Sequence, residues 1–345
     1  MKIIITGGAG FIGCNAAARY IRRGDDVIVL DNLSRPGADL NIRWLNTIGS
    51  YEFIKGDIRD YSLLEKIFSR KEQIDSILHL AAQVAVTTSV AAPRNDFEVN
   101  ALGTFNILEA LRASGRSSTL IYSSTNKVYG NLDDMSVREG ETRYNFQGKK
   151  TAVREDQPLD FHSPYGCSKG AADQYVRDYA RIYDLKTVVM RQSCIYGPRQ
   201  FGIEDQGWVA WFVIAALTGK KITVYGDGKQ VRDILYMDDL LDSFDLAIQN
   251  IDQCAGKIFN VGGGQENTIS LLEFFDLLEE FLGRKINYTF ADWRPGDQKI
   301  YVSDITKAAQ KLNWKPKVSN REGIKRLFDW VKEYKAMIEQ AFPGN

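Results

Sequence analysis

The chain has 345 residues, and its 44 Lys and Arg balance 44 Asp and Glu to a formal net charge of zero, which removes any global pull towards nucleic acid or an anionic membrane surface. That length is large for one core, so a large domain with a smaller one appended is expected. The four cysteines, Cys14, Cys167, Cys194 and Cys254, are scattered without a Cys-x-x-Cys pair; with only His79 and His162 to help, no metal site is expected, and the thiols read as small buried residues of a reducing compartment.

Lys2 to Asp31 reads as an apolar strand (Ile3, Ile4, Ile5), a Gly-rich turn, an amphipathic helix from Phe11 to about Arg23, and a second apolar strand ending in an acid. Each part has a physical task if a dinucleotide sits there. Gly7 allows the tight turn, Gly10 lets backbone approach a pyrophosphate on the helix N-terminus, and Gly13 lets helix and sheet pack closely. Asp31, 18 positions past Gly13, places a carboxylate where ribose hydroxyls can donate to it. The spacing is G-x-x-G-x-x-G, one residue off the commoner dinucleotide pattern. Its strength lies in strand, turn, helix, strand and terminal acid falling in register.

After a Ser, Pro and Gly-rich loop (Asn32 to Ala38), strands are expected at Tyr51–Lys55, Ser76–Leu80, Thr119–Ser123 and Thr187–Arg191. Helices are expected near Ser62–Ser69, from about Pro93 to Ser114, and at Tyr165–Tyr183. Apolar strands interleaved with helices predict a parallel sheet covered on both faces, with ligands beyond the carboxyl ends of its strands. The residues at those ends are Asp57-Ile58, where a carboxylate can meet an adenine amino group or simply make a turn, the small run Leu80-Ala81-Ala82-Gln83, and the hydroxyl-rich run Ser123-Ser124-Thr125-Asn126-Lys127.

Tyr165 and Lys169 are four apart at a helix start, so both occupy one face, and an ammonium beside a phenol favours a tyrosinate general base. Two other Tyr-x-x-x-Lys pairs occur. Tyr51 with Lys55 lies in a strand, which spreads the two about 13 Å apart, and Tyr225 with Lys229 straddles Gly226 and Gly228 in a probable-turn sequence.

Beyond 192 the alternation lapses. A helix carries Trp208, Trp211 and Phe212, aromatics that can stack a base but more commonly fill a core. A small sheet is expected from Thr223–Tyr225, Lys257–Val261 and Asn287–Phe290, with helices at about Ser270–Leu282 and Asn320–Lys335. The expected architecture is α/β: a Rossmann-type doubly wound parallel sheet over 1–191, with a polar insertion at about 131–155. A smaller mixed α/β substrate domain over 192–345 interleaves with it around a cleft. No signal-peptide core or membrane-length apolar run is present, so a soluble cytoplasmic protein is expected.

The motifs together resemble the extended short-chain dehydrogenase/reductase superfamily along essentially the whole chain. The resemblance implies tightly bound NAD that is not consumed, with catalysis by Thr125, Tyr165 and Lys169. Cofactor contacts are implied at Gly7, Gly10, Phe11, Ile12, Gly13, Asp31, Asn32, Ser34, Arg35, Gly37, Asp57, Ile58, Leu80, Ala81, Ala82, Gln83, Asn100, Ser123, Tyr165, Lys169 and Ser193. Asp31 favours NAD over NADP because it would repel a 2'-phosphate, which the nearby Arg35 would partly offset. Gln230-Val231-Arg232-Asp233 and Trp293-Arg294-Pro295-Gly296-Asp297 are similar to the family's two diphosphate-gripping arginine motifs. Substrate contacts are implied at Gln83, Thr125, Asn126, Lys127, Arg199, Gln200, Gln206, Val209, Arg232, Arg294 and Asp297.

Within that superfamily, sugar 4,6-dehydratases place an Asp-Glu pair after the Thr. Here those positions are Asn126 and Lys127, which leaves epimerisation by transient oxidation. Ser123 to Gly130, Leu159 to Tyr175, Asp205 to Val209 and Gly228 to Asp233 resemble the CDP-paratose (CDP-tyvelose) 2-epimerase subgroup. The implied partner is a small CDP-linked nucleotide sugar, with neither nucleic acid nor membrane, in a homo-oligomer (dimer or tetramer). A nucleotide-hexose 4-epimerase of the UDP-glucose/galactose type and a non-catalytic dinucleotide-binding protein remain the alternatives.

Overall fold

The computed structural model describes residues 1–294 and 297–342. Pro295 and Gly296 of the second arginine motif lie outside the described residues. The chain opens with β1 (Lys2–Thr6), α1 (Phe11–Arg23), β2 (Asp26–Asp31), α2 (Ala38–Leu45), β3 (Glu52–Lys55), α3 (Tyr61–Phe68) and β4 (Ser76–His79). A broken helical stretch follows: α4 (Val86–Ala91), α5 (Pro93–Phe97), a π-helical turn Glu98–Leu102 and α6 (Gly103–Ala113). Next come β5 (Thr119–Thr125), a 3-10 turn Asn126–Tyr129, the strands β6 (Val137–Glu139) and β7 (Tyr144–Phe146), the long α7 (Ser163–Tyr183) and β8 (Thr187–Gln192). Then the chain forms β9 (Cys194–Tyr196), α8 (Trp208–Thr218), β10 (Ile222–Tyr225), β11 (Val231–Tyr236), α9 (Met237–Gln249), α10 (Ile251–Cys254) and β12 (Ile258–Val261). It closes with β13 (Thr268–Ser270), α11 (Leu271–Leu282), β14 (Tyr288–Ala291), β15 (Ile300–Tyr301), α12 (Thr306–Leu312), α13 (Asn320–Glu333) and α14 (Lys335–Gln340).

Seven strands form one parallel sheet in the order β12-β8-β5-β4-β1-β2-β3. Alternate side chains along each strand serve opposite faces. Ile3 and Ile5 join Val27, Val29 and Leu78 under α1 and α9, while Ile4 joins Ile28, Ile77 and Leu120 under α3, α6 and α7. Strand order reverses between β1 and β4, so the crevice expected of such sheets opens beyond Thr6 and His79.

The strand at 258–261, expected in the small sheet, is instead the outer strand of this large one, paired with β8. All four of its residues are buried, as a parallel strand covered on both faces requires. β10 alternates buried and half-buried residues and, among the described residues, pairs only with β14. The remaining sheet is built on β11, flanked by β13, β15 and β9. A separate apolar core carries this second part, drawing Phe212, Phe274, Phe275, Ile324 and Leu327 from α8, α11 and α13. Trp208 packs edge-on against Phe274 there, Phe212 packs tilted against the same ring, and Trp208 and Phe212 lie 6.2 Å apart.

The helix expected at 93–114 is interrupted by the π turn, which carries Asn100. One extra residue in the turn swings Asn100 inward, where its amide meets Gln83 and Asp96. The polar stretch at about 131–155 holds the β6–β7 hairpin and docks on the second part. Arg143 bonds Glu273, the Tyr144 hydroxyl donates to Asp227, and Val153 exchanges backbone hydrogen bonds with Val302 and Asp304. Cys14 and Cys254 are buried, but Cys167 is exposed, contrary to expectation, because it faces away from the sheet on α7.

Candidate active site

At the reversal point the Gly turn is a cradle with no room for a side chain at Gly7 or Gly13. A Cβ on Gly7 would lie 2.7 Å from Ala81 N, and one on Gly13 would lie 2.1 Å from the Gly7 oxygen. Gly10, the N-cap of α1, faces open space apart from the Gly7 oxygen at 3.2 Å. Bare backbone therefore stands at the end of the 13-residue α1, next to Phe11 and Ile12, where a pyrophosphate would find the helix's positive pole. Asp31 accepts from Ala9 N at 2.9 Å and Leu33 N at 2.7 Å, which aims its carboxylate across the turn. Burial holds its carboxyl above the ordinary range. Leu80, Ala81 and Ala82 line the facing strand end, and Ile58 packs against Gly103. These residues fit a dinucleotide.

The adenosine-side candidates are drawn partly into one another. Asp57 is gripped by Arg59 and accepts from Asn32 Nδ2 at 2.9 Å, and the Arg59 guanidinium holds its carboxyl down to about 2. Asn32 also accepts from Ser34 N. Arg35 reaches away to Gln206 Oε1 at 2.9 Å, and Gly37 leaves no space for a side chain beside Phe201. The loop after β2 thus touches the 200–207 loop of the second part.

Tyr165, Lys169 and Asp173 lie on successive turns of α7 and all face the sheet. The helix is long enough to reach from the cleft to β8, and Ser89 Oγ accepts from Tyr165 N at 3.1 Å, capping its start. Lys169 Nζ donates to the Ser123 carbonyl oxygen at 2.5 Å and lies 4.3 Å from the Tyr122 ring centroid. Burial pushes Lys169 down to about 7 and pushes Tyr165 up to about 12, with a hydrogen bond from Thr125 opposing and the Asp96 charge adding to the rise. The expected depression of the phenol by its lysine is thus absent, because the ammonium is turned towards Ser123 and Tyr122. Thr125 caps the 3-10 turn, accepting from Lys127 N at 3.2 Å.

Across the cleft, Lys127 feels the charges of Arg232, Asp297 and Cys194. Burial followed by the Arg232 cation brings half-buried Lys127 down to about 8. Asn126 is buried beside them. Arg294 stacks 3.7 Å from the Tyr225 ring centroid and pairs with Asp205 at 3.1 Å. Asp297 N donates to the Arg294 oxygen. Other candidates are not brought into this group. Arg199, at φ +68°, is enclosed by the rings of Trp44, Trp330 and Tyr334, so its guanidinium is held by aromatic faces away from Arg232. Val209 is part of the α8 core. Gln200 donates to the Ile195 oxygen, and Ser193 Oγ is held by Asp233.

Asp96, Ser168, Asp173 and Arg191 were not foreseen. Asp173 and Arg191 form a buried pair beneath Lys169. A lone Arg inside an otherwise apolar strand was the signal, since a buried cation needs a partner. Asp96 had no sequence signal beyond its position in the helix that precedes Asn100.

A family model described as GDP-mannose 4,6 dehydratase matches residues 4–327. A CDP-paratose 2-epimerase of Salmonella typhi is 47% identical over 336 residues, covering 96% of this chain and 99% of that protein. Among solved structures, UDP-glucose 4-epimerase of Thermotoga maritima with UDP-glucose superposes with a TM-score of 0.84 at 34% identity, covering 97% of this chain and 100% of that one. UDP-glucuronic acid 4-epimerase of Bacillus cereus, in complex with UDP-glucuronic acid and NAD, gives 0.83 at 29% identity over 96% and 99%.

Proposed function

The chain belongs to the extended short-chain dehydrogenase/reductase family described as GDP-mannose 4,6 dehydratase, and from that premise we propose that it is a nucleotide-sugar 2-epimerase acting on a CDP-linked sugar of the paratose and tyvelose type. The carrying observation is the turn after β5. Thr125 bonds Tyr165, while the next two residues are Asn126 and Lys127, neither a carboxylic acid. Eliminating water needs an acid–base pair there; oxidising and re-reducing one carbon does not. The 47% identity to a CDP-paratose 2-epimerase supports the same reading.

NAD, when bound, supplies a hydride acceptor that becomes the donor in the second half of the reaction, and a positive ring charge that favours the Tyr165 phenolate. Gly7, Gly10, Gly13 and Asp31 would hold it, and a redox-neutral reaction would leave it in place unconsumed. Tyr165 takes the proton from the C2 hydroxyl as that carbon becomes a ketone, then returns it once the sugar has presented its other face. Thr125 hydrogen-bonds the reacting oxygen. Lys169, turned from the phenol towards Ser123 and Tyr122, would hold the cofactor's ribose. Arg232, Arg294 and Lys127 supply the cations that suit a diphosphate.

The test is turnover of CDP-paratose by the purified protein in deuterated water without added NAD. Product lacking deuterium at C2 supports internal hydride return, and solvent deuterium there overturns it. Tyr165→Phe should lose about 10²- to 10⁴-fold in kcat while keeping its NAD; unchanged turnover refutes the catalytic assignment. Inversion at C4 of UDP-sugars in the same assay would favour the 4-epimerase reading.

We also infer a homodimer. Phe97, Leu102, Tyr175, Ile182 and Tyr183 are exposed on the π turn, α5 and α7. Phe105, Tyr175, Tyr179 and Tyr183 make edge-to-face contacts in a chain, an aromatic face suited to a second copy. Light scattering of Ile182→Lys should report a monomer. Free thiols at all four cysteines fit a cytoplasmic setting, and among the described residues no helix is long and apolar enough to cross a membrane.

A further inference from the structure

Beneath the Tyr165–Lys169 pair lies a carboxylate with no part in the reaction just described. Asp96, on α5, is 0% exposed. Its Oδ2 accepts from Ser168 Oγ at 2.5 Å, and its Oδ1 accepts from Gln83 Nε2 at 2.8 Å and Asn100 Nδ2 at 3.1 Å. All three partners are neutral. A buried carboxylate satisfied only by neutral donors is costly unless a cation lies nearby; burial raises the Asp96 carboxyl, and the Ser168 and Gln83 hydrogen bonds and the Lys169 cation oppose that rise.

The network also has a mechanical side. Asn100 Oδ1 accepts from Gln83 N at 2.9 Å and its amide donates to the Gln83 oxygen at 3.0 Å and Ser168 Oγ at 3.1 Å. Gln83 is further fixed by Ala85 through both ends of its amide. Asp96 therefore adds a second set of bonds to the link that Asn100 makes among the loop after β4, the π turn and α7.

We propose that Asp96 is a positioning residue of this centre, a buried counter-charge to Lys169 that also locks Gln83 to the helix bearing Tyr165. The proposal rests on Tyr165 and Lys169 being the working pair. Asp173, the other carboxylate near Lys169, acts on it more strongly than Asp96 does but is shared with the two-pronged contact from Arg191 on β8, so Asp96 is the one of the two without a guanidinium partner.

The groups facing this pair are few. From α7 come Asp173, Tyr165 and Lys169; from β5, Tyr122; from β4, His79; from β8, Arg191. Burial pushes Tyr122 far up and drops His79 to about 3, so both stay neutral through the working range. Asp96 favours the protonated forms of Tyr165 and Lys169 alike. Removing its charge therefore lowers both, and both limbs of the pH profile should move the same way.

The experiment is the pH dependence of kcat/KM for NAD-loaded Asp96→Asn and Asp96→Ser, beside Ser168→Ala and Asp96→Glu. Asn keeps the shape, and Ser leaves room for a water, so a folding failure of one leaves the other to report. Both neutral variants should shift the whole profile to lower pH by roughly 0.5 to 1 unit. Asp96→Glu and Ser168→Ala, which retain the charge, should lower the rate and leave the profile in place. Neutral variants that lose rate without any shift mean a structural role only and overturn the proposal. Tyr165→Phe is the control: if it stays active, the working pair itself is misassigned; if it is inactive while Asp96→Asn leaves the profile unmoved, this proposal alone fails.

Discussion

The Asp173 carboxylate and the Arg191 guanidinium meet through two hydrogen bonds of 2.9 Å, with side chains 0% and 2% exposed. The pair ties α7 to β8 one turn beyond Lys169. Ser124 donates to the same carboxylate at 2.7 Å, and Arg191 donates to the Tyr129 hydroxyl at 3.1 Å, which passes on to Asn260. Strand β5, the turn after it, α7 and the outer strand β12 are thereby fixed to one another.

Breaking this pair from one side leaves a charge buried without a partner. Arg191→Met and Asp173→Asn should each cost about 3–5 kcal/mol, measured as a fall in the urea midpoint at unchanged slope. A loss below about 1 kcal/mol would mean that water or a neighbour takes over the exposed partner. Replacing both together should recover part of the loss, because no isolated charge remains.

The Gly turn separates packing from ligand contact. Gly13→Ala forces a Cβ to 2.1 Å from the Gly7 oxygen and 2.6 Å from Gly8 Cα. Backbone cannot step aside as a side chain can, so a loss of roughly 1–3 kcal/mol or more is expected, with no NAD retained on purification. Gly10→Ala meets only the Gly7 oxygen at 3.2 Å. Its stability should lie within about 1 kcal/mol of the parent, while its NAD content falls because the methyl occupies the open side. Full NAD content in Gly10→Ala would remove Gly10 from the pyrophosphate seat.

His79 makes the fold sensitive to acid. Its Nδ1 shares a 2.8 Å hydrogen bond with Thr6 Oγ1 and its Nε2 a 2.9 Å bond with Thr104 Oγ1. Burial, with the Lys169 charge adding, lowers it from 6.5 to about 3. Because the folded value lies below the unfolded one, the contribution is complete above pH 6.5 and is lost as pH falls from there towards 3. The slope is at most about 1.4 kcal/mol per pH unit. Between pH 7 and pH 5 the parent should lose about 2 kcal/mol more than His79→Gln. Equal losses would show that His79 accepts its proton in the folded state.

The parts of this molecule that sequence made legible are those written in short spacings. The alternation of Ile3, Ile4 and Ile5 about one strand, the three glycines, and the four-residue step from Tyr165 to Lys169 all have their physical meaning within one turn or one strand. The strand at 258–261 was assigned to the wrong sheet because its four apolar residues carry no record of which edge they join; β8, some 70 positions earlier by number, decides it. The π turn at Asn100 was invisible because a single inserted residue hardly disturbs a helical pattern. Arg199 reads as a phosphate ligand in sequence, yet Trp44, Trp330 and Tyr334 enclose it from segments far apart in the chain. The phenol of Tyr165 is likewise governed by burial and by Asp96 more than by the lysine four residues on.

Lys127 offers a reading of the nucleotide's charge that is independent of turnover. Burial, then the Arg232 cation, brings it to about 8, with Asp297 pulling the other way. Its ammonium is therefore present at pH 7 and is lost as pH rises through about 8. If it grips the diphosphate, CDP affinity by calorimetry should weaken as pH rises from 7 to 9. Lys127→Arg, always charged, should hold its affinity over that range. Lys127→Met should bind about 10- to 100-fold more weakly at pH 7, the scale of one charge-assisted hydrogen bond, and show little further change up to pH 9. A Met variant that still weakens with pH would assign the titration to another group and leave Arg232 and Arg294 as the cations that hold the diphosphate.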